Sequence, residues 1–333
     1  MNRLLGRAIA LGCIGAATFS TAATLAASKS SATVWVLTKD GQNVEGQLNV
    51  ATLSLIVNGK SRTVSVADVL SIQLGDPATE GETGKITTGL TAVAGTDRKA
   101  REVAAEELTN IGLPTLTPLL NAYKDTDAHE PNPLAHLFPR IISSQADALD
   151  RTLDLVRLAD GSNLRGDLAP ADLHLTVQGK SETIPVSSIR RLAVRRKFVD
   201  RAVELQSLRH CTQIEFMDTG VAVTPSSRLD EAASGFVRLA FNVDGWASDP
   251  DGLKVPGPNY KTNLVDGFPF GAVVGKIGAT GDRWFAGKHV QKKDLGTGRL
   301  YIAINDNPHW QNNLGSFRVT LRVTDAYDLG DAS

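Results

Sequence analysis

Two segments of the chain alternate apolar and polar residues with a period of two, and each is a copy of the other. Residues 40–72 align with residues 160–192 without a gap, so that residue n matches residue n + 120. The runs 53–57 and 173–177 place leucine or valine at every second position, a pattern typical of half-buried strands. Asp-Gly, Asn-Gly and Gln-Gly pairs punctuate the runs and predict hairpin turns. The chain therefore contains an internal duplication of short, turn-connected strands.

The size of each copy favours a small β-barrel of the SH3-like or Sm-like kind, because four or five short strands fit into about forty-five residues. We assign the two barrels to residues 32–80 and 151–200. Both copies also carry Gly-Lys-Ser, at 59–61 and 179–181, a tripeptide that occurs in phosphate-binding loops. Such loops need a glycine five residues earlier and a helix afterwards, whereas here Ser54 and His174 hold that position and strands flank the motif. A hairpin tip is the favoured interpretation.

Between the copies the apolar period changes to that of a helix. Thr96 or Asp97 is a suitable N-cap, and Gly112 is a suitable end. The apolar face of this predicted helix consists of Ala100, Ala104, Leu108 and Ile111. Pro114 then begins a second helix. The order resembles one HEAT-type helix pair, which cannot bury its own face alone, so we expect this insert, residues 96–145, to pack on the barrels.

Two groups of side chains have competing interpretations. The basic cluster consists of Arg190, Arg191, Arg195, Arg196, Lys197 and Arg201. It either binds an anionic envelope polymer or forms the solvated face of a strand, and the pattern favours the solvated face. His129 and His136 lie in a Pro-rich stretch without Cys or carboxylate partners at ligand spacing. This favours surface or hydrogen-bonded histidines over metal ligands.

The composition and the N-terminus indicate an exported protein. At 333 residues the chain exceeds one usual core, and its net charge of -1 differs from the strongly basic balance of a nucleic-acid binder. Residues 1–27 begin with basic residues, continue with a short apolar run and end in small residues, as a signal peptide does. The run is too short to span a bilayer, so we expect a periplasmic or extracellular protein that does not span the membrane.

Neither the cysteines nor recognisable catalytic motifs indicate a reactive site in the sequence. Cys13 lies too early and in too poor a context to favour lipid attachment. Removal of residues 1–27 leaves Cys211, which we expect to be a buried thiol. Paired catalytic carboxylates, a nucleophile elbow and a histidine metal triad are not recognisable in the sequence, so we predict that the protein is not an enzyme.

The candidate chemistry lies near the C-terminus, in the segment 304–317. Asp306, Asn312 and Asn313 offer short oxygen ligands of the type that Ca2+ takes from carboxylates, amides and carbonyls. The same residues also suit two turns, because Asn, Asp, Pro and Gly favour turn geometry for backbone reasons.

The blocks around this segment resemble the LecA-type galactophilic lectins, whose β-sandwich holds a calcium ion that touches the sugar. These blocks are Gly-Trp-Ala-Ser at 245–248, Gly-Ala-Val-Val-Gly-Lys-Ile-Gly at 271–278 and the segment 304–317. The resemblance implies a LecA-like, galactose-binding-like β-sandwich over residues 210–325. It also implies a calcium site built from Asp306, Asn312, Asn313 and two backbone carbonyls, one at Asp249 and one at His309 or Trp310.

The sugar-gripping His and Gln of that family have no match here, because the segment that carries them is shorter and reads Gly-Pro-Asn-Tyr-Lys-Thr-Asn at 257–263. Galactose specificity is therefore not implied. Trp310, Tyr260 and Asn263 can supply a stacking face and hydrogen bonds for a carbohydrate or polyol. Trp310 suits a core or loop-closing position equally well.

The sequence thus predicts a mainly β protein with a helical insert: two small barrels followed by a β-sandwich. The expected function is calcium-dependent carbohydrate binding in the cell envelope. The alternative is a structural or interaction protein of the envelope, in which calcium only stiffens the sandwich and the barrels bind a protein partner.

Overall fold

The structure, a computed structural model, describes residues 31–75, 77–124, 133–141, 153–212, 216–239, 246–253, 267–306 and 313–330. Strands dominate these ranges, and all the strand pairs are antiparallel, which confirms the mainly β class. The predicted signal peptide, residues 1–27, and His129 lie outside the described residues.

The two copies have the same strand order. The first contributes β1 (Ala32–Thr38), β2 (Asn43–Leu48), β3 (Thr52–Val57), β4 (Lys60–Ser65) and β5 (Val69–Gln73). The second contributes β6 (Asp154–Leu158), β7 (Asn163–Leu168), β8 (Asp172–Val177), β9 (Lys180–Pro185) and β10 (Ile189–Gln206). The predicted inward side chains are buried in both copies: Leu53, Leu55, Leu173 and Leu175. The period of two therefore placed the core face correctly.

The Gly-Lys-Ser tripeptides lie at hairpin tips, as predicted. Asn58 and Gly59 have positive φ angles of 51° and 72°, and Gln178 and Gly179 have 48° and 80°. Two successive residues with positive φ are the signature of the tight two-residue turn that matches the twist of an antiparallel pair. Each turn joins two strands rather than a strand and a helix, so a phosphate loop is excluded at both places.

The copies exchange strands instead of closing separately. Strand β1 pairs with β2 and with β10 of the other copy, while β6 pairs with β7 and with β5 of the other copy. Strand β2 pairs with β8, and β3 pairs with β7. The ten strands therefore follow the order β9-β8-β2-β1-β10-β5-β6-β7-β3-β4, which is symmetric about the β5–β10 pair.

The expectation of two separate barrels at 32–80 and 151–200 is therefore corrected. Each half of the ten-strand order takes two strands from one copy and three from the other, and side chains of both copies form one hydrophobic core. The exchange explains a repeated glycine: a Cβ on Gly46 would lie 2.9 Å from Val177 Cγ2, and a Cβ on Gly166 would lie 2.5 Å from the Ile56 carbonyl oxygen. Only glycine admits the neighbouring strand of the other copy this closely.

The helical insert contains α1 (Glu80–Ala94), α2 (Arg98–Ile111), α3 (Leu116–Lys124) and the single turn α4 (Phe138–Ile141). Short 3-10 turns cover Leu113–Thr115 and Pro133–Leu137. The cap of α2 at Asp97 and its end at Gly112 are as predicted. Helix α1 is an addition to the prediction, and its residues join those of α2 and α3 in a separate apolar core.

The basic cluster is not a uniformly solvated strand face. Arg190 and Arg191 are buried, and Arg190 donates two hydrogen bonds to the Glu82 carboxylate of α1, at 2.9 and 2.6 Å. Strands β5 and β10 are antiparallel, so the start of the insert lies beside the start of β10, and Leu74 N donates to the Arg190 carbonyl oxygen at 3.1 Å. The predicted solvated face is therefore wrong for these two arginines: helix α1 covers Arg190, whereas Arg191 is buried beside Gln73 of β5, to which it donates at 3.4 Å.

The C-terminal strands are β11 (Met217–Val223), β12 (Arg228–Arg238), β13 (Ala247–Ser248), β14 (Val273–Ile277), β15 (Arg283–Phe285), β16 (His289–Lys293), β17 (Gly298–Ile304) and β18 (Leu314–Asp328). One group runs β10-β18-β12-β16 and the other β11-β17-β14-β15. Side chains of both groups form one core, for example Phe317 and Leu229 from the first and Ile302 from the second. Strand β10 belongs to both units, because residues 189–194 pair with the repeats and residues 195–206 with β18.

Cys211 is fully buried, as predicted. Its backbone forms an isolated bridge with Ile304 at the end of β17. In the ranges that the structure describes, no helix is long and apolar enough to cross a membrane.

Candidate functional site

Two of the predicted calcium ligands lie at the ends of neighbouring strands. Asp306 follows β17, and Asn313 immediately precedes β18. Both are closed off from solvent, with 0% and 1% of their surface exposed. The other predicted ligands of this loop, Asn312 and His309, lie outside the described residues, as does Trp310. Tyr260 and Asn263 also lie outside them, in the segment 254–266.

The structure brings the side chains of Asp306 and Asn313 into direct contact. Asn313 Nδ2 donates to Asp306 Oδ2, and it also donates to the Ser207 carbonyl oxygen at 3.1 Å. Ser207 is held in turn by its hydroxyl, which donates to the Gly315 carbonyl oxygen at 2.8 Å. The carboxylate, the amide and the loop after β10 thus form one buried polar group.

One atom of this group has no partner among the described residues. Asn313 Oδ1 is buried and accepts no hydrogen bond there. A buried acceptor without a donor costs free energy unless a donor or a cation completes it. A carboxylate next to a free amide oxygen is the donor chemistry that Ca2+ prefers. These two side chains therefore have the chemistry to supply part of the six to eight oxygens that a calcium ion takes.

The backbone of Asp306 is fixed by Thr212, a residue that the sequence did not mark. Asp306 N donates to Thr212 Oγ1 at 3.2 Å, and Thr212 Oγ1 donates to the Asp306 carbonyl oxygen at 3.1 Å. Arg98 Nη1 at the start of α2 donates to the Thr212 carbonyl oxygen at 3.0 Å. The helical insert thereby reaches the wall of the candidate site. Nothing in the local sequence of Thr212 signals this role, because it depends on a contact with residue 98.

His210 lies in the same loop and is neutral. Burial, followed by the charge of Arg209, lowers the pKa of the His210 imidazole to about 3. The Gln206 N–H donates to Nδ1 at 3.1 Å, so the ring proton is on Nε2. The loop therefore adds no positive charge from this histidine beside the carboxylate of Asp306.

The Asp249 carbonyl oxygen, a predicted cation ligand, accepts hydrogen bonds within the chain, which disfavours it as a ligand. That oxygen accepts the Gly252 N–H at 2.9 Å and the Ser248 hydroxyl at 2.8 Å, so both of its lone pairs are used within the chain. Its carboxylate is engaged as well, with Lys288 Nζ at 2.7 Å from Oδ2. A tight Asp-Pro-Asp-Gly turn at 249–252 explains this, since Gly252 has a φ of 90° and turns its N–H back to residue 249.

Clusters of His, Cys, Asp and Glu are a second place where a metal ion can bind. Within the ranges described above, no three His, Cys, Asp or Glu side chains cluster closely enough to hold a metal ion. His136 lies in the turn Pro133–Leu137 and belongs to no such cluster.

Buried charges connect α2 to the strands next to the site. Lys276 on β14, 2% exposed, forms an ion pair with Glu102 at 2.7 Å, and its Nζ lies 4.3 Å from the ring centroid of Phe216. Burial lowers the pKa of Lys276, and the Glu102 charge opposes that shift. Arg299 on β17 bonds Asp218 at 2.8 Å and Asn110 of α2 at 3.1 Å. These contacts fix the insert against the β14–β17 face.

Comparison with known proteins gave few matches. No family model matches the chain, and no curated protein matches it. Among solved structures, the N-terminal domain of EclA, described as a PllA-like lectin, is 17% identical. The match covers 38% of this chain and 96% of that chain, with a TM-score of 0.30.

Proposed function

We propose that this chain is a calcium-dependent carbohydrate-binding protein of the cell envelope and not an enzyme. The observation that carries the proposal is the buried contact between Asp306 and Asn313, which leaves Asn313 Oδ1 without a partner among the described residues. The order of the flanking sequence blocks, similar to that of LecA-type lectins, supports the same conclusion. In this proposal the two C-terminal strand groups are a LecA-like β-sandwich, and each half of the exchanged repeats is an SH3/Sm-like barrel.

The ion would be held by the Asp306 carboxylate and the Asn313 amide oxygen. Asn312 and the carbonyl of His309 would complete the ligands that the protein supplies. One carboxylate among neutral ligands leaves a divalent ion under-neutralised, so the site retains attraction for hydroxyl oxygens. A carbohydrate or polyol then binds through its hydroxyl groups, with Trp310, Tyr260 and Asn263 as the contacts from the neighbouring loops.

The export part of the proposal rests on residues 1–27, which have the charge, length and small-residue pattern of a signal peptide. It places the protein in the periplasm or outside the cell. Cys211 suits that environment, because a fully buried thiol is protected from disulfide exchange. An envelope polymer or protein is a further partner that this location would offer to the strand-exchanged repeats.

Thermal unfolding in calcium and in chelator tests the metal site. Calcium at 100 times its dissociation constant should stabilise the folded state by about 2.7 kcal/mol. Asp306→Asn should abolish this gain, because it removes the carboxylate and keeps the shape of the side chain. Asp294→Asn makes the same chemical change at an exposed position and should keep the gain. Equal melting temperatures of the wild-type protein in calcium and in chelator would contradict the proposal.

The structural alternative has one observation in its favour. Asp306 and Asn313 are almost fully enclosed, which suits an ion that stiffens the fold without meeting a ligand. A glycan array read with and without chelator separates the two functions. Calcium-dependent retention of glycans supports the lectin function, whereas calcium stabilisation without glycan binding supports the structural one.

A further inference from the structure

A cavity of about 470 Å³ lies between the first turns of α2 and the turn that joins β14 to β15. Arg98, Lys99 and Glu102 line it from the helix, and Thr280, Asp282 and Arg283 line it from the turn and β15. Its volume lies within the range of small-molecule sites. None of these residues belongs to the proposed calcium site, although Arg98 bonds Thr212 behind it.

Positive charge exceeds negative charge around this cavity. Glu102 is neutralised by Lys276 at 2.7 Å, and it lies 3.8 Å from Arg283. Arg98 and Lys99 form no ion pair within the described ranges. Among the described residues of the lining, Asp282 is the one further carboxylate, so three cationic side chains there face two carboxylates.

The guanidinium groups of Arg98 and Arg283, which both line the cavity, repel each other. Burial lowers the pKa of Arg283, the positive charge of Arg98 lowers it further, and the negative charge of Glu102 opposes that shift. Like charges that share a partly buried space cost free energy, and Glu102, which also pairs with Lys276, offsets only part of that cost, so a bound anion would reduce it further. The Arg283 guanidinium also lies 5.4 Å from the ring centroid of Phe216, a cation–π contact that favours its present position.

The remaining wall of the cavity suits an organic ligand. Phe268 lines it, and this ring packs against a buried apolar cluster that contains Phe216 and Tyr301 and lies 6.3 Å from the ring of Phe285. An aromatic face supported in this way can pack against the C–H face of a sugar ring. The Thr280 side chain is exposed at the rim, where it can bond a hydroxyl group. The cavity is also larger than an inorganic ion requires.

We propose that this cavity is a second binding site, which takes the carboxylate of an acidic saccharide such as a uronic acid. Arg98, Lys99 and Arg283 surround the carboxylate, and Phe268 lies against the sugar ring. We expect binding there without calcium, because none of the described residues of the Asp306 group lines the cavity. It therefore goes beyond the proposed lectin site and is tested separately from it.

Titration calorimetry on the full chain in chelator tests the proposal, with glucuronate, glucose and inorganic phosphate as the probes. Glucuronate should bind, and its affinity should fall as salt is added, because the contacts are between charges. Glucose should not bind under the same conditions. Binding of phosphate without glucuronate would show a site for free anions and overturn the saccharide assignment. Binding of none of the probes would overturn the site itself.

Two variants locate the binding. Lys99→Glu reverses the charge of an exposed side chain in the lining. It should lower the affinity for glucuronate about tenfold or more, as expected for the loss of a charge-assisted bond. Lys85→Gln removes a cation from the neighbouring helix α1, outside this cavity, and should leave the affinity unchanged. Equal affinities for the wild type and Lys99→Glu would place the glucuronate elsewhere and contradict the proposal. Circular dichroism of both variants confirms that they are folded.

Discussion

Glu231 is an isolated carboxyl inside the C-terminal core, and it should make the protein less stable as the pH rises. It lies on β12 between the inward-facing residues Leu229 and Ala233, with 1% of its surface exposed. Neither carboxyl oxygen has a hydrogen-bond partner among the described residues. Burial without a partner raises the pKa of Glu231 to about 8, from an ordinary value of 4.5.

The sign of the effect follows from the raised pKa. Well below pH 4.5 the carboxyl is protonated in both the folded and the unfolded state, so its ionisation does not change the free energy of unfolding. Between pH 4.5 and 8 the unfolded chain loses the proton while the folded chain keeps it, so the free energy of unfolding falls as the pH rises. Above pH 8 the loss levels off at about 5 kcal/mol, and between pH 5 and 7.5 it amounts to about 3 kcal/mol.

Glu231→Gln removes the titration and keeps the size and polarity of the side chain. We expect the free energy of unfolding of this variant, relative to that of the wild type, to rise by about 3 kcal/mol between pH 5 and 7.5. Urea unfolding followed by tryptophan fluorescence measures this difference. The comparison isolates ionisation, because any packing difference between the two side chains is independent of pH and both proteins carry the same histidines. Glu204→Gln, the same change at an exposed position of β10, should show no such gain. A stability difference between Glu231→Gln and the wild type that stays constant from pH 5 to 8 would refute the buried, protonated state.

Two further predictions concern the repeats and the insert. Glu82→Gln should destabilise the protein by about 3–5 kcal/mol in thermal or urea unfolding, because it leaves Arg190 buried without its counter-charge, whereas Glu82→Leu combined with Arg190→Met should recover much of that loss. The strand exchange predicts that cysteines at Gln47 and Thr176, which face each other across β2 and β8, form a disulfide on oxidation. Cysteines at Gln47 and Ile56, which would face each other if each copy closed alone, should stay reduced, and the opposite result in a thiol assay would rule out the exchange.

The strand exchange could not be predicted from the sequence because the two copies have the same local pattern. Leu48 and Leu168 occupy equivalent positions, and so do Leu55 and Leu175, so alternation places all four inward without saying which copy supplies the neighbour. The repeated glycines 46 and 166 were the available signal, since a glycine inside a strand indicates a close backbone approach. Even that signal does not identify the strand that approaches.

Helix α2 was predicted because its apolar residues recur with a regular helical period, whereas helix α1 was missed because its glycines and threonines weaken the helical pattern. Helix α2 has good helix formers and clear ends at Asp97 and Gly112. Helix α1 has three glycines and four threonines in fifteen residues, a composition with low helix propensity. Its N-terminus nevertheless carries a signal: Thr79 and Glu82 form a capping box in which each side chain bonds the backbone N–H of the other.

The burial of Arg190 follows from the presence of α1 and could not be inferred from β10 alone. An arginine in an alternating strand normally points to solvent, whereas the ion pair with Glu82 stabilises Arg190 in the buried position. In the candidate site, by contrast, the proximity of Asp306 and Asn313 was accessible from the sequence, because both lie on one loop between neighbouring blocks. The bonds that fix this loop come from Ser207 and Thr212, about a hundred residues earlier, and no local pattern encodes them.

The helical insert and strand β10 both contribute to positioning the candidate site. Strand β10 leads directly from the repeats to Ser207, so it fixes one end of the loop that meets Asn313. Arg98 at the start of α2 fixes the other end, through the carbonyl oxygen of Thr212. Helices α1 and α2 share one apolar core, and Glu82 of α1 forms an ion pair with Arg190 of β10. The contact through Arg98 is therefore also connected to the repeats. The loop 207–212 beside Asp306 is therefore held near both of its ends by contacts that trace back to the repeats and their insert.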